Sequence, residues 1–151
     1  MGDVILKRIE LDDQNSLVKI QRMINNDEDL RNVFSGQRNT VSRLLNACYV
    51  AFIQQQKNTI GFVMIVDNAR TRTQEVDIGI LKPYRKQGYG TQALSLLKDI
   101  VIANDLVVEA QVSNTNTAAI RTVVNNGGEL IRQDQEHSYF ALGQTESEKK
   151  K

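Results

Sequence analysis

Leu81-Lys82-Pro83-Tyr84-Arg85-Lys86-Gln87-Gly88-Tyr89-Gly90-Thr91 joins a strand-like run to the clearest helical run in the chain. Before it, Glu75 to Leu81 reads as a strand. After it, Thr91 to about Asn104 sets Ala93, Leu94, Leu96, Leu97, Ile100 and Val101 along one broad apolar face. Between them lies a basic turn with two glycines. Glycine permits positive φ and lets the backbone come close to a ligand. The first N–H groups of a helix lack intrahelical acceptors and carry partial positive charge. The turn therefore reads either as a seat for a phosphate or pyrophosphate, with Arg85 and Lys86 adding full charges, or as an ordinary solvated loop.

Three phosphate-loop patterns compete for this turn. The Walker pattern requires Gly-Lys-Ser/Thr, and here Gly90 is followed by Thr91-Gln92. The dinucleotide fingerprint matches Gly88, Gly90 and Ala93, with Glu109 about 20 residues further on. Against it, the residues from Lys82 to Gln87 separate the strand from the first glycine, and Glu109 sits inside a strand rather than at its end. The third pattern is RxxGxG, formed by Arg85, Gly88 and Gly90.

Working outward, Val4 to Leu11 reads as a strand, and Ser16 to about Asn26 as a helix capped by Asn15 or Ser16. Asp27 to Gln37 is polar and reads as a break or turn. Thr40 to Asn46 reads as a short helix. Tyr49–Gln55 and Ile60–Val66 form a hairpin through Gln56-Lys57-Asn58. Leu106 to Val112 is a buried strand. Thr117 to Asn126 is a helix ended by Gly127-Gly128. Glu129–Arg132 and Ser138–Leu142 close the chain as a strand pair. The order implies a mixed α/β (α+β) sheet with helices on both faces. The unit from Glu75 through the Thr91–Asn104 helix to Val112 is a βαβ crossover, so its two strands run parallel.

Composition limits the function classes. The 151 residues fit one domain, expected over 1–143, followed by a polar tail at 144–151 that reads as disordered. Lys and Arg total 19 against 18 Asp and Glu, Trp is absent, and there are 4 Tyr and 4 Phe. Neither charge nor aromatics point to nucleic acid. No apolar run reaches the roughly 20 residues of a membrane helix. The start, Met1-Gly2-Asp3-Val4, is not a signal peptide, so a cytoplasmic location is expected. The single cysteine, Cys48, excludes a disulfide framework and a Cys-rich zinc site, and no metal is expected. His137, the only histidine, reads as a surface residue. The acidic Asp27-Glu28-Asp29 reads as solvated or as an attractor for a cationic amine.

With the RxxGxG turn and the preceding Asp77-Ile78-Gly79-Ile80, the chain resembles the GNAT superfamily of acyl-CoA-dependent N-acetyltransferases. A second segment supports this: Asn114-Thr115-Asn116-Thr117-Ala118-Ala119-Ile120-Arg121, closing with Asn125-Asn126-Gly127-Gly128-Glu129-Leu130. The resemblance implies a mixed, mostly antiparallel sheet splayed between its fourth and fifth strands, with acetyl-CoA in the gap. It implies that backbone groups of Ile78, Gly79 and Ile80 pair with the pantetheine arm. It implies that the amides of Arg85, Lys86, Gln87, Gly88, Tyr89, Gly90 and Thr91 hold the pyrophosphate, and that Asn116 bonds CoA from the opposite wall.

The expected reaction is direct attack of a primary amine, on a small molecule or a peptide, upon the thioester in a ternary complex. Glu75 and Asp77 share one face of the fourth strand and are the candidate bases. Many family members carry a Tyr that protonates the leaving thiolate; the corresponding residue here is Val123, and Tyr139 is the candidate substitute. Two other classes stay open: a CoA-binding module without catalysis, motivated by Val123, and a dinucleotide-binding domain. Monomer and homodimer are both compatible with the sequence.

Overall fold

The apolar runs at 49–53 and 60–66 become two adjacent central strands, β2 (Ala47–Gln55) and β3 (Asn58–Asn68), joined by a two-residue turn with Gln56 in the left-handed region. Successive side chains of a strand point to opposite faces. Val50, Phe52, Phe62 and Met64 therefore enter one apolar cluster, while Ala51, Ile53, Val63 and Ile65 enter another. Both faces of these strands are buried, which explains runs with no polar alternation.

This is a computed structural model describing residues 3–35, 39–68 and 72–143. The expected polar tail at 144–151 lies outside the described residues. Around the central pair stand β1 (Val4–Arg8), β4 (Thr73–Ile80), β5 (Val107–Ser113), β6 (Glu129–Gln133) and β7 (His137–Gly143). They form one sheet in the order β1-β2-β3-β4-β5-β7-β6, antiparallel except for the parallel β4–β5 pair. The helices are α1 (Gln14–Asn25), α2 (Glu28–Val33), α3 (Thr40–Leu45), α4 (Tyr89–Ala103) and α5 (Thr117–Asn125). Leu94, Leu97 and Val101 of α4 pack on one sheet face; Ile20 and Ile24 of α1 and Leu30 of α2 pack on the other. Among the described residues, no helix is long and apolar enough to cross a membrane.

Two local readings change. Helix α1 begins two residues before Ser16, because the Asp13 carboxylate caps it, accepting from the Ser16 amide at 3.2 Å and its hydroxyl at 2.7 Å. The segment read as a polar turn after Asn26 contains α2, capped by Asp27 through the Leu30 amide at 3.2 Å. With six residues, α2 is too short to be periodic. It is anchored by Leu30 and by Phe34, whose ring lies 5.7 Å from that of Phe62.

Strand β4 stays paired with β3 from Asn68↔Thr73 to Gly61↔Ile80, and β5 stays paired with β7 from Val107↔Gly143 to Ser113↔His137. Yet β4 and β5 share the single register pair Glu75↔Glu109. Each strand follows its outer partner, and a V opens between them toward their C-terminal ends.

Candidate active site

The V is the floor of a cleft of about 660 Å³, within the range of small-molecule sites. Its walls come from β4 (Val76 to Ile78), β5 (Ala110 to Ser113), the start of α4, the inner side of α5, and the C-terminal end of α2 with the two residues after it (Asn32 to Ser35). Thus α2, illegible in the sequence, supplies one wall.

At the mouth, Lys86 and Gly88 both have positive φ, 64° and 85°. Gly88 is the N-cap of α4 and offers no side-chain hydrogen bond. The first helical bond runs from the Gln92 amide to the Gly88 carbonyl, so Tyr89, Gly90 and Thr91 precede it with amides directed along the axis. Lys86, Gln87 and Gly88 are exposed, while the Tyr89 side chain is buried in the core. A Cβ on Gly88 would meet nothing within 4 Å, and one on Gly90 would meet only Ile80 at 3.8 Å. The space in front of these two α-carbons is open, as close approach by a pyrophosphate requires, and these residues fit CoA there. Thr91 also ties α4 to α5, its hydroxyl lying 3.4 Å from that of Thr122. Gln87 donates to the Pro83 carbonyl at 3.1 Å.

Arg85 is turned the other way. Its guanidinium donates to the Ile80 carbonyl at 2.8 Å, to Asp27 at 2.7 Å and to Asp29 at 2.8 Å. Asp27 is thus buried against Arg85, while Asp29 pairs with the same guanidinium from solvent. Burial pushes the Asp27 carboxyl up, but hydrogen bonds from Arg85 and the Leu30 amide, the Arg85 charge and the Lys82 amide together hold its pKa below the ordinary value.

Along the inner edge of β4, backbone groups face the gap. In an antiparallel ladder alternate residues bond the same neighbour. The Leu81 amide bonds the Ile60 carbonyl, so Gly79 and Asp77 also bond toward β3, and Ile78 presents its groups and Ile80 its amide away from β3, the Ile80 carbonyl being taken by Arg85. Gly79 is glycine for another reason: a Cβ there would lie 2.5 Å from the Phe62 ring and 3.2 Å from Leu30. On the opposite wall Asn116 caps α5, its Oδ1 accepting from the Ala119 amide at 3.1 Å, while its residue lines the cleft.

The two candidate bases are bound together by a residue with no sequence signal. Arg43, buried on α3, donates to Asp77 at 2.8 and 3.0 Å and to Glu75 at 2.8 Å. Burial opposes the Arg43 charge, yet bonds and attraction from Asp77 and then Glu75 hold its pKa above the ordinary arginine value. The Asp77 side chain is 0% exposed with both oxygens held by Arg43. Glu75 is 12% exposed and uses Oε1. Asp77 belongs to the cleft wall; Glu75 is not part of its lining and stands beside it, at the register pair where β4 meets β5. Across the apex, Glu109 takes two bonds from Arg132 at 3.1 and 3.0 Å.

Val123 is buried and lines the cleft. The Tyr139 hydroxyl is 3.4 Å from Asp134, its ring lies under the Arg132 guanidinium at 4.2 Å, and it is not part of the cleft lining. Burial, then Asp134, push its pKa up. His137, read as a surface residue, does line the cleft.

The chain belongs to the acetyltransferase (GNAT) family, whose model matches residues 15–124. Membership carries the reaction class: transfer of an acetyl group from acetyl-CoA to an amine nitrogen, with no metal required. No curated protein sequence matches the chain. Solved structures share its fold. The spermidine N-acetyltransferase of Vibrio cholerae, in complex with CoA and spermine, is 18% identical, covers 93% of this chain and 95% of its own, and gives a TM-score of 0.72. RimL, the ribosomal L7/L12 alpha-N-protein acetyltransferase in complex with CoA, is 10% identical with 93% and 94% covered and a TM-score of 0.67. The yncA protein of Salmonella typhimurium with acetyl-CoA is 16% identical, with 96% of both chains covered and a TM-score of 0.67.

Proposed function

We propose that this acetyltransferase acts by direct attack of a cationic primary amine, deprotonated in the site, on acetyl-CoA lying in the β4–β5 gap. The observation that carries this is the divergence of β4 and β5 beyond Glu75↔Glu109, with the open amides of Gly88 to Thr91 at the mouth. In this reading the turn seats the pyrophosphate, Ile78 and Ile80 pair with the pantetheine, and Asn116 donates from the far wall. The Ile78 amide, on the cleft wall and nearer to Glu75, stabilises the oxyanion as it develops. Proximity supplies most of the acceleration.

The acceptor's charge follows from the apex. Glu75 and Asp77 share one guanidinium, leaving one excess negative charge in a buried setting. That favours an ammonium over a neutral or anionic acceptor. Of the two acids, Glu75 is the base: Asp77 spends both oxygens on Arg43, while Glu75 keeps Oε2 for the amine or a bridging water. The leaving thiolate needs no obligatory donor, since a thiol pKa lies near 8.5. The spermine complex of the Vibrio cholerae enzyme and the peptide amine implied by the name of RimL set two arms for a test. Acetyl-CoA turnover, read as free thiol, is measured over polyamines, peptide N-termini and lysine side chains. Polyamines are expected to react fastest. Turnover with none of them, despite CoA binding, would select a non-catalytic CoA-binding module, the reading that buried Val123 favours.

A further inference from the structure

Asp27 bonds two segments that are far apart in sequence, the start of α2 and the turn before α4. Its Oδ1 accepts from the Leu30 amide and caps α2, the helix whose far end is a cleft wall. Its Oδ2 accepts from the Lys82 amide at 3.2 Å and from Arg85 at 2.7 Å, residues 55 and 58 positions away in the turn before α4. Arg85 in turn grips the last residue of β4 through the Ile80 carbonyl. Asp27 has a side chain only 7% exposed, so this charge-assisted bond is shielded from solvent and salt. Asp29, at 73% exposure, adds little. Helix α2 has six residues and cannot persist on its own propensity. What fixes it is Leu30 and Phe34 beneath and the Asp27 bridge at its start.

We propose that Asp27 is a positioning residue that makes the cofactor turn and the acceptor wall a single unit, so that filling the turn orders α2. This rests on the reading of the turn as the CoA seat. The coupling is reciprocal: CoA tightens acceptor binding, and an acceptor tightens CoA by the same factor. The charge of Arg85 thereby serves the acceptor side through Asp27 rather than the phosphate directly.

The test is amide hydrogen exchange of the full chain with and without CoA. In the wild type, CoA is expected to slow exchange at residues 86–91 and also at 28–35. Asp27→Asn keeps an oxygen for the Leu30 amide but replaces the bridging oxygen with a donor that cannot bond Arg85. In it, CoA should still protect 86–91, while its effect on 28–35 falls about tenfold or more. Arg85→Lys, which keeps the charge and loses the fork, should behave alike and carries the test if Asp27→Asn does not fold. If CoA leaves 28–35 unchanged in the wild type, or protects it equally in the variants, the coupling is wrong. If CoA fails to protect 86–91 in the wild type, the CoA seat falls, and the coupling with it.

Discussion

Glu75 and Glu109 face each other at the one residue pair where β4 and β5 meet. Two carboxylates this close repel, and each is held by a different guanidinium, Glu75 by Arg43, which it shares with Asp77, and Glu109 by Arg132. The sheet can close at this point, and open beyond it, because both charges are answered from opposite sides.

Arg43 bears the larger share of that burden. Arg43→Met would take from the fully buried Asp77 the guanidinium that bonds both its oxygens. Breaking a buried pair from one side costs roughly 3–5 kcal/mol. Urea unfolding should register a loss of that order; a loss under about 1 kcal/mol would mean the pair behaves as an exposed one.

Glu75 and Asp77 should separate in kinetics. An alkyl amine with a pKa near 10.4 is almost wholly protonated at neutral pH. Glu75→Gln should therefore lower kcat/KM about tenfold or more, with CoA affinity unchanged and partial recovery at higher pH. Asp77→Asn should chiefly lower stability. Equal rates for Glu75→Gln and wild type across the pH range would remove Glu75 as the base.

Tyr139→Phe should cost less than about tenfold in kcat, since a thiolate near pKa 8.5 leaves without a required acid and the hydroxyl is directed to Asp134. A far larger loss with intact CoA binding would make it the proton donor.

The Asp27 carboxyl has a folded-state pKa below its unfolded value near 3.8. Its stabilisation is therefore fully present above about pH 4 and is lost as pH falls through the folded pKa. Stability against urea should fall more steeply below pH 4 in the wild type than in Asp27→Asn. Parallel profiles would contradict the bridge.

Much of this was legible in the sequence. Long apolar strands, the α4 face and the βαβ order announce themselves through period and length, so the sheet and the turn follow. What escaped depends on contacts between distant residues. Nothing local marks Arg43 on a short helix as the partner of two strand acids. Nor does anything mark Arg85, inside a phosphate-loop pattern, as bonded to Asp27. Helix α2 escaped because six residues held by Leu30 and Phe34 carry no periodicity. The turn strain was half readable: Gly88 holds the positive φ, whereas Gly90 lies in the first helical turn with open space in front of its α-carbon.

That distinction gives the most direct measurement. Gly90 has no strained φ and open space ahead of it, so Gly90→Val should fold with near-native stability while its side chain occupies the space before the amides. Calorimetry of CoA should show binding to the wild type and a loss of about a hundredfold or more in the folded variant, about 2.7 kcal/mol. Unchanged CoA affinity in a folded Gly90→Val would show that the turn does not seat the pyrophosphate, and would contradict the account.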